Sequence, residues 1–231
     1  MPRNARLVIP GVAHHITQRG NNKQDVFFVD DDNEKFLELL GEQSRKFGVA
    51  IAGFCLMTNH IHIIATPTQN DSLAKTMGRV NLLYSQYISY MHGRTGHLWQ
   101  NRFYSCPLDA DHFFTALSYV EQNPVRAKMV RYPWTYRWSS AAVHMGQEDE
   151  FGLINQKNWQ QQSSGLDWEK ILRSQLEKID IDKLRIYCRT GRPLGTDKFI
   201  SKLETVIGRR LRPLPVGRPK KVKDKNKTKK K

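Results

Sequence analysis

The chain is poor in cysteine. It has three, Cys55, Cys106 and Cys188, far apart and odd in number. That pattern suggests neither a disulfide framework nor a cysteine zinc site, and a reduced cytoplasm fits. Long apolar runs are also lacking. No stretch of about 18 apolar residues occurs, so no transmembrane helix and no membrane partner are expected. The opening MPRNARLVIPGVAHHITQRG has no signal-peptide apolar core. No repeat with a period of roughly 20–50 residues is present. Acid is the scarce charge: 22 Asp and Glu face 37 Lys and Arg, for a formal net charge of +15.

That imbalance points to a polyanion. The last fifteen residues, GRPKKVKDKNKTKKK, hold nine bases and one acid and contribute +8. Residues 1–216 keep +7, so the tail alone does not explain the charge. Nucleic acid suits this excess better than a membrane does. A length of 231 residues suits one large domain, or one with an appendage.

Residues 12–18, VAHHITQ, read as a short strand broken by RGNN. Residues 30–47 set Phe36, Leu37, Leu39, Leu40 and Phe47 among charges, an amphipathic helix ending at Gly48. Residues 49–66 are the most β-like run, two strands or one interrupted near Thr58–Asn59. Residues 71–92 are helical, with Leu73, Met77, Val80, Leu83, Tyr84, Tyr87 and Ile88 roughly on one side. A turn at 93–96 leads into LWQNRFYSCPL, read as extended and part of the sheet. Residues 110–123 form another helix, stopped by Pro124. The alternation suggests an α+β sandwich with helices packed on a sheet. The expected organisation is a first domain at 1–146, a Gln- and Ser-rich linker at 147–166, a helical extension at 167–213 and a disordered basic tail at 214–231.

Two spacings carry chemistry. In His60-Ile61-His62 a strand puts both imidazoles on one face and Ile61 on the other. The pair is either two metal ligands or two ordinary strand histidines, and spacing alone leans to the second. Tyr119 and Asn123 lie four apart, on one face of a helix. Asn123 offers a hard oxygen ligand and Tyr119 a phenol nucleophile; alternatively Tyr119 packs at a helix–sheet interface.

LMTNHIHIIATP, GHLWQNRFYSCPLD and YVEQNPVRAKMV, in this order, closely resemble the single-tyrosine HUH transposases. Within them the chain is most similar to the REP-associated tyrosine transposases. HHITQRGNN resembles the start of that family, and YRWSSAAVH the end of its catalytic domain. The likeness runs from about residue 7 to 145, and more weakly over 190–213. One departure is Thr58, where relatives often have Pro. The resemblance implies a ferredoxin-like antiparallel sheet with helices on one face. It implies His60, His62 and Asn123 as ligands of Mg²⁺ or Mn²⁺, and Tyr119 as the nucleophile. It also makes the domain at 1–146 catalytic and the extension at 167–213 DNA-binding.

Candidate DNA contacts follow. Arg19, Asn21, Asn22 and Lys23, at the end of the first strand, would hold a phosphate backbone or, as the resemblance implies, read a short guide at a hairpin foot; the alternative is a solvated turn. Arg102 and Arg126 suit phosphate, with Arg102 equally suited to a salt bridge. Arg192 stands in Gly-Arg-Pro, and so does Arg218, which with Lys220 and Lys221 resembles an AT-hook core. Trp99 either stacks on a base or packs in the core. His14 and His15 are adjacent, so at most one faces the site.

The expected activity is metal-dependent cleavage and rejoining of single-stranded DNA at palindromic hairpin repeats, through a 5′-phosphotyrosine link. The expected enzyme is cytoplasmic, nucleoid-associated and monomeric rather than dimeric. The alternative is a non-catalytic hairpin-DNA-binding protein that organises or regulates repeated palindromes. A small-ester metal hydrolase ranks last, having no use for the charge.

Overall fold

The computed structural model describes residues 6–213. The expected tail at 214–231, with Arg218, Lys220 and Lys221, lies outside the described residues. Strand β1 (His14–Arg19), helix α1 (Asp30–Phe47), strands β2 (Val49–Met57) and β3 (His60–Pro67), helix α2 (Ser72–His92) and strand β4 (Tyr104–Pro107) follow in βαββαβ order. The sheet order is β2-β3-β1-β4, and each neighbouring pair is antiparallel. This is the expected ferredoxin-like sheet. The run at 49–66 resolves into two strands joined by a two-residue turn, Thr58-Asn59. Of LWQNRFYSCPL, only Tyr104–Pro107 forms a strand.

Alternation along the strands sorts the two faces. Ile16, Phe54, Ile61 and Ile63 join Phe36, Leu40, Leu73, Met77 and Tyr84 of α1 and α2 in one buried core. The Tyr84 hydroxyl donates to Val26 O at 2.6 Å, so this tyrosine is structural. Trp99 packs there too, against Phe36 and Tyr84. Gly48 ends α1 at φ 66°, and a Cβ there would meet Thr68 Oγ1 at 2.2 Å.

α1 and α2 share one face, as expected. The other face carries a second layer that the expectation omitted. Cys55, Met57, Ile64 and Cys106 make it apolar, and apolar surface needs cover. The cover comes from α3 (Ala110–Glu121), α4 (Asn123–Arg126), α5 (Ala141–His144), α6 (Gln156–Gln162), α7 (Trp168–Arg173) and α8 (Lys178–Thr190). α6 falls in the segment expected to be a linker; its Trp159 is buried on His144, with centroids 3.9 Å apart. The last helix, α9 (Asp197–Ile207), packs Leu203 with Leu7, Ile9 and Leu211.

α3 lies close on the sheet because β2 has Gly53 beneath it. A Cβ at Gly53 would sit 2.2 Å from Leu117 Cδ1. The helix stops at Glu121, and Pro124 falls in the first turn of α4, where its missing N–H costs nothing.

Candidate active site

β3 presents His60 and His62 on the second face, with ring centroids 5.1 Å apart. α3 sets Tyr119 edge-on against His62, with ring centroids 5.6 Å apart. Tyr119 is 4% exposed and His62 6%. Asn123 lies one turn on and donates Nδ2 to Tyr119 O and Val120 O, both at 3.1 Å. Residues far apart in the chain thus meet in one cluster.

Three further residues complete it. His15 faces inward from β1 and puts Nε2 2.9 Å from His62 Nδ1, while His14 turns elsewhere, with Nδ1 on Val12 O. Arg126 stacks on the Tyr119 ring, Cζ 4.1 Å from the centroid, and donates Nη2 to Tyr119 O at 2.8 Å and to Asn123 Oδ1 at 2.7 Å. Arg185 of α8 donates Nε to the Tyr119 hydroxyl at 3.4 Å. Arg126, expected on the DNA backbone, is instead turned inward, because Tyr119 and Asn123 offer it two acceptors and an aromatic face. His15 was visible in the sequence only as half of an ambiguous pair. Arg185 gave no signal there at all.

The imidazoles are held neutral. Burial is the main cause throughout. It pushes His15 down to about 3, helped by the charge of Arg126. It pushes His60 down to about 4, helped by Arg19. His62 lies well below its ordinary value, with His15, His60, Arg126 and Arg185 adding to burial. A neutral imidazole keeps the lone pair that a metal needs.

The donor set suits a divalent metal. His60 Nδ1 is tied to Asn59 Oδ1 at 2.6 Å and His62 Nδ1 to His15, which leaves Nε2 of each ring for ligation. Such outer partners orient ligating histidines. Asn123 Oδ1 already accepts from Arg126, but an amide oxygen has a second lone pair. Among the described residues no group of three or more His, Cys, Asp or Glu is placed to hold a metal. Two imidazoles and an amide oxygen make a sparse set that leaves room for phosphate and water oxygens.

The family model described as "Transposase IS200 like" matches residues 9–123, from before β1 through Asn123. The chain belongs to this family. No curated protein matches it. Three solved structures are similar. A REP-associated tyrosine transposase bound to a REP hairpin has a TM-score of 0.54 at 16% identity, over 68% of this chain and 90% of that one. A Deinococcus radiodurans R1 protein assigned as a transposase has 0.37 at 14%, over 56% and 92%. A bacterial tRNA(His) guanylyltransferase-like protein in complex with ATP has 0.40 at 12%, over 70% and 74%. The first supports the fold; the other two are too distant to argue from.

In this IS200-like transposase the remaining candidate contacts fall on one side of the histidines. Arg19 pairs across the sheet with His60, and the turn Asn21–Lys23 follows it, with Asn22 and Lys23 exposed. Asn22 and Lys23 hold φ of 50° and 62°. Asn59 Nδ2 donates to Lys23 O at 3.1 Å, tying the turn to the histidine strand. Gln100 N donates to Arg19 O at 2.9 Å, and Arg102, two residues on, is exposed. Arg192 follows α8 and shares a groove with Arg102.

Proposed function

We propose that this protein is a metal-dependent single-strand DNA endonuclease and transesterase acting at palindromic hairpin repeats. One observation carries the reading: a tyrosine on α3 packs against His62, one of two neutral strand histidines whose Nε2 atoms make no hydrogen bond among the described residues, with an amide oxygen one turn away. Mg²⁺ or Mn²⁺, held by His60, His62 and Asn123, would polarise the scissile phosphate and stabilise its developing charge. Tyr119 supplies the nucleophile. Its oxygen bonds to phosphorus, the 3′-oxygen leaves, and a 5′-phosphotyrosyl link with a free 3′-hydroxyl results. A 3′-hydroxyl attacking that link rejoins the strand and frees the tyrosine, so no ATP is needed. Arg185 holds the phenol oxygen, and Arg126 fixes the ring and Asn123 together. Positive charge from both arginines suits the anionic phosphorane that forms on attack.

The nearest argument for the substrate is the fold shared with a hairpin-bound relative, together with the basic turn Arg19–Lys23 beside His60. All of the site comes from one chain, which favours a monomer. We place the enzyme in the cytoplasm with the nucleoid, where its DNA would be.

The test is incubation with hairpin DNA carrying single-stranded flanks, with Mn²⁺ or Mg²⁺. A protein–DNA adduct stable to denaturation should form, vanish in Tyr119→Phe and weaken strongly in His62→Ala. Hairpin binding with no cut over varied flanks would favour the non-catalytic reading. An adduct persisting in Tyr119→Phe would assign the wrong nucleophile.

A further inference from the structure

A groove of about 800 Å³ opens beside the edge strand β4. Its floor is Arg6 and residues 101–105; one wall is the end of α8 at 189–192 and the other is residues 209–212. Arg6, Arg102, Arg189, Arg192, Arg209 and Arg210 line it, and among the described residues no Asp or Glu does. A seventh arginine, Arg212, is neutralised by Glu204 and Asp197. Crowding of like charge is visible at Arg6, which is pushed down to about 10 by burial and by the charge of Arg102. Such a cluster is stabilised by an anion with many charges.

The groove connects to the tyrosine in two ways. First, Tyr104 of its floor lies across β1 from Thr17, and Thr17 lies across from His62. Laterally paired residues face the same side, so Tyr104 shares the face of His62 at two strand spacings, roughly 10 Å. Second, α8 carries Arg185 at the Tyr119 hydroxyl and Arg189 one turn further, in the groove wall. The helix then ends at Gly191 with φ 66°, and Arg192 continues the wall. Arginines therefore run without a break from the nucleophile into the groove.

We propose that this groove is a second nucleic-acid site, which holds the phosphates of a single strand running from the bond that Tyr119 attacks. Tyr104 is 43% exposed in the floor and offers a stacking face to an unpaired base, which a duplex could not use. The chain's own last fifteen residues are an unsuitable occupant, since they carry +8 themselves. The inference rests on the DNA-cleaving reading and specifies where the strand flanking the cut is held.

The test uses the full chain with Arg102→Gln and Arg189→Gln combined. Both side chains are exposed, and among the described residues neither has a carboxylate partner. Binding is measured by fluorescence anisotropy over a salt series, for a hairpin with single-stranded flanks and for the bare hairpin. Circular dichroism checks the fold. Each phosphate contact to a single strand adds about 0.7 to the slope of log affinity against log salt. The double variant should bind the flanked hairpin more weakly, with the slope reduced by about 1.4, and bind the bare hairpin as the wild type does. An unchanged slope, or equal loss on both DNAs, overturns the proposal; an acidic protein partner would give the first. Adduct formation by the wild type is scored separately. An adduct with an unchanged slope sinks the groove and spares the catalytic reading. A reduced slope with no adduct does the reverse.

Discussion

Replacing His15 with Phe separates metal ligation from packing. His15 is 1% exposed, stacks on His62 with centroids 5.2 Å apart, and bonds its Nδ1 at 2.9 Å. Phe keeps the stacked ring and removes that partner. Leaving a buried polar atom unpaired costs about 1–3 kcal/mol. The same change deletes His15 Nδ1, which is itself buried without a partner among the described residues, and so recovers part of the loss. The net cost should be about 1 kcal/mol, or roughly 2–4 °C in Tm for a chain of this size. Metal binding should suffer far more. Losing the group that orients a ligating imidazole lowers metal affinity roughly 10–100-fold. The assay is a Mn²⁺ titration read by the electron paramagnetic resonance of the free ion, with a thermal melt on the same samples. His15→Gln offers His62 an amide at similar reach and should restore most of the affinity. Unchanged Mn²⁺ affinity in His15→Phe would refute the claim that His15 orients a ligand, whatever the melt showed.

Three other outcomes are expected. Gly53→Ala drives a Cβ into Leu117, so α3 must lift; a loss of about 1–3 kcal/mol in stability should accompany a loss of adduct. Full activity in that variant would show that the position of α3 is not limiting. Glu121→Ala strips the carboxylate shared by Ser140 Oγ and His144 Nδ1, both at 2.5 Å, and Trp168 Nε1 at 3.0 Å. Urea unfolding should report a loss of roughly 3 kcal/mol or more, and a loss below about 1 kcal/mol would mean that water or repacking satisfies those groups. The last concerns pH. Burial pushes His14 down to about 4 and His15 to about 3. Their folded values lie below the unfolded value near 6.5, so the unfolded chain takes up more protons as pH falls. Stability is therefore full above about pH 6.5 and declines towards pH 4, by up to about 1.4 kcal/mol per pH unit for each histidine. Equal urea midpoints at pH 7 and pH 5 would contradict this.

What the sequence made legible was local. The strand period put His60 and His62 on one face, and the helix period put Tyr119 and Asn123 on another. Apolar positions at helical spacing located α1 and α2 to within a residue or two. Contacts between distant segments were not legible. Adjacent strand residues face opposite ways, but nothing local says whether His14 or His15 faces the site. Arg185 reaches Tyr119 from 66 residues away, across the extension. Arg126 looks like a free cation in sequence, and only the fold of α3 onto α4 turns it back on Tyr119. The Gln- and Ser-rich segment read as a linker because its anchors are few: Ile154 reaches the main core, and Trp159 is surrounded in sequence by polar residues. Trp159 holds α6 because His144 and Trp168 form the other sides of its pocket.

The same facts explain why the helix that carries Tyr119 needs the extension. The face of the sheet that carries the histidines is half apolar, so α3 alone cannot cover it. α7 and α8 complete the cover, and they also pin the end of α3. Gln122 Nε2 donates to the carbonyls of Ile171, Leu172 and Ser174 at 3.2, 3.3 and 2.9 Å, which are the open end of α7. Glu121, one residue before, is held by Trp168 from the start of the same helix. Tyr119 and Asn123 flank these two anchors on either side. A side chain two residues from a fixed backbone has little freedom to drift, so the anchors set how far the phenol can move from His62. Burial that stabilises the fold and precision at the site therefore come from one set of contacts. In this architecture the extension belongs to the candidate site as much as the sheet does.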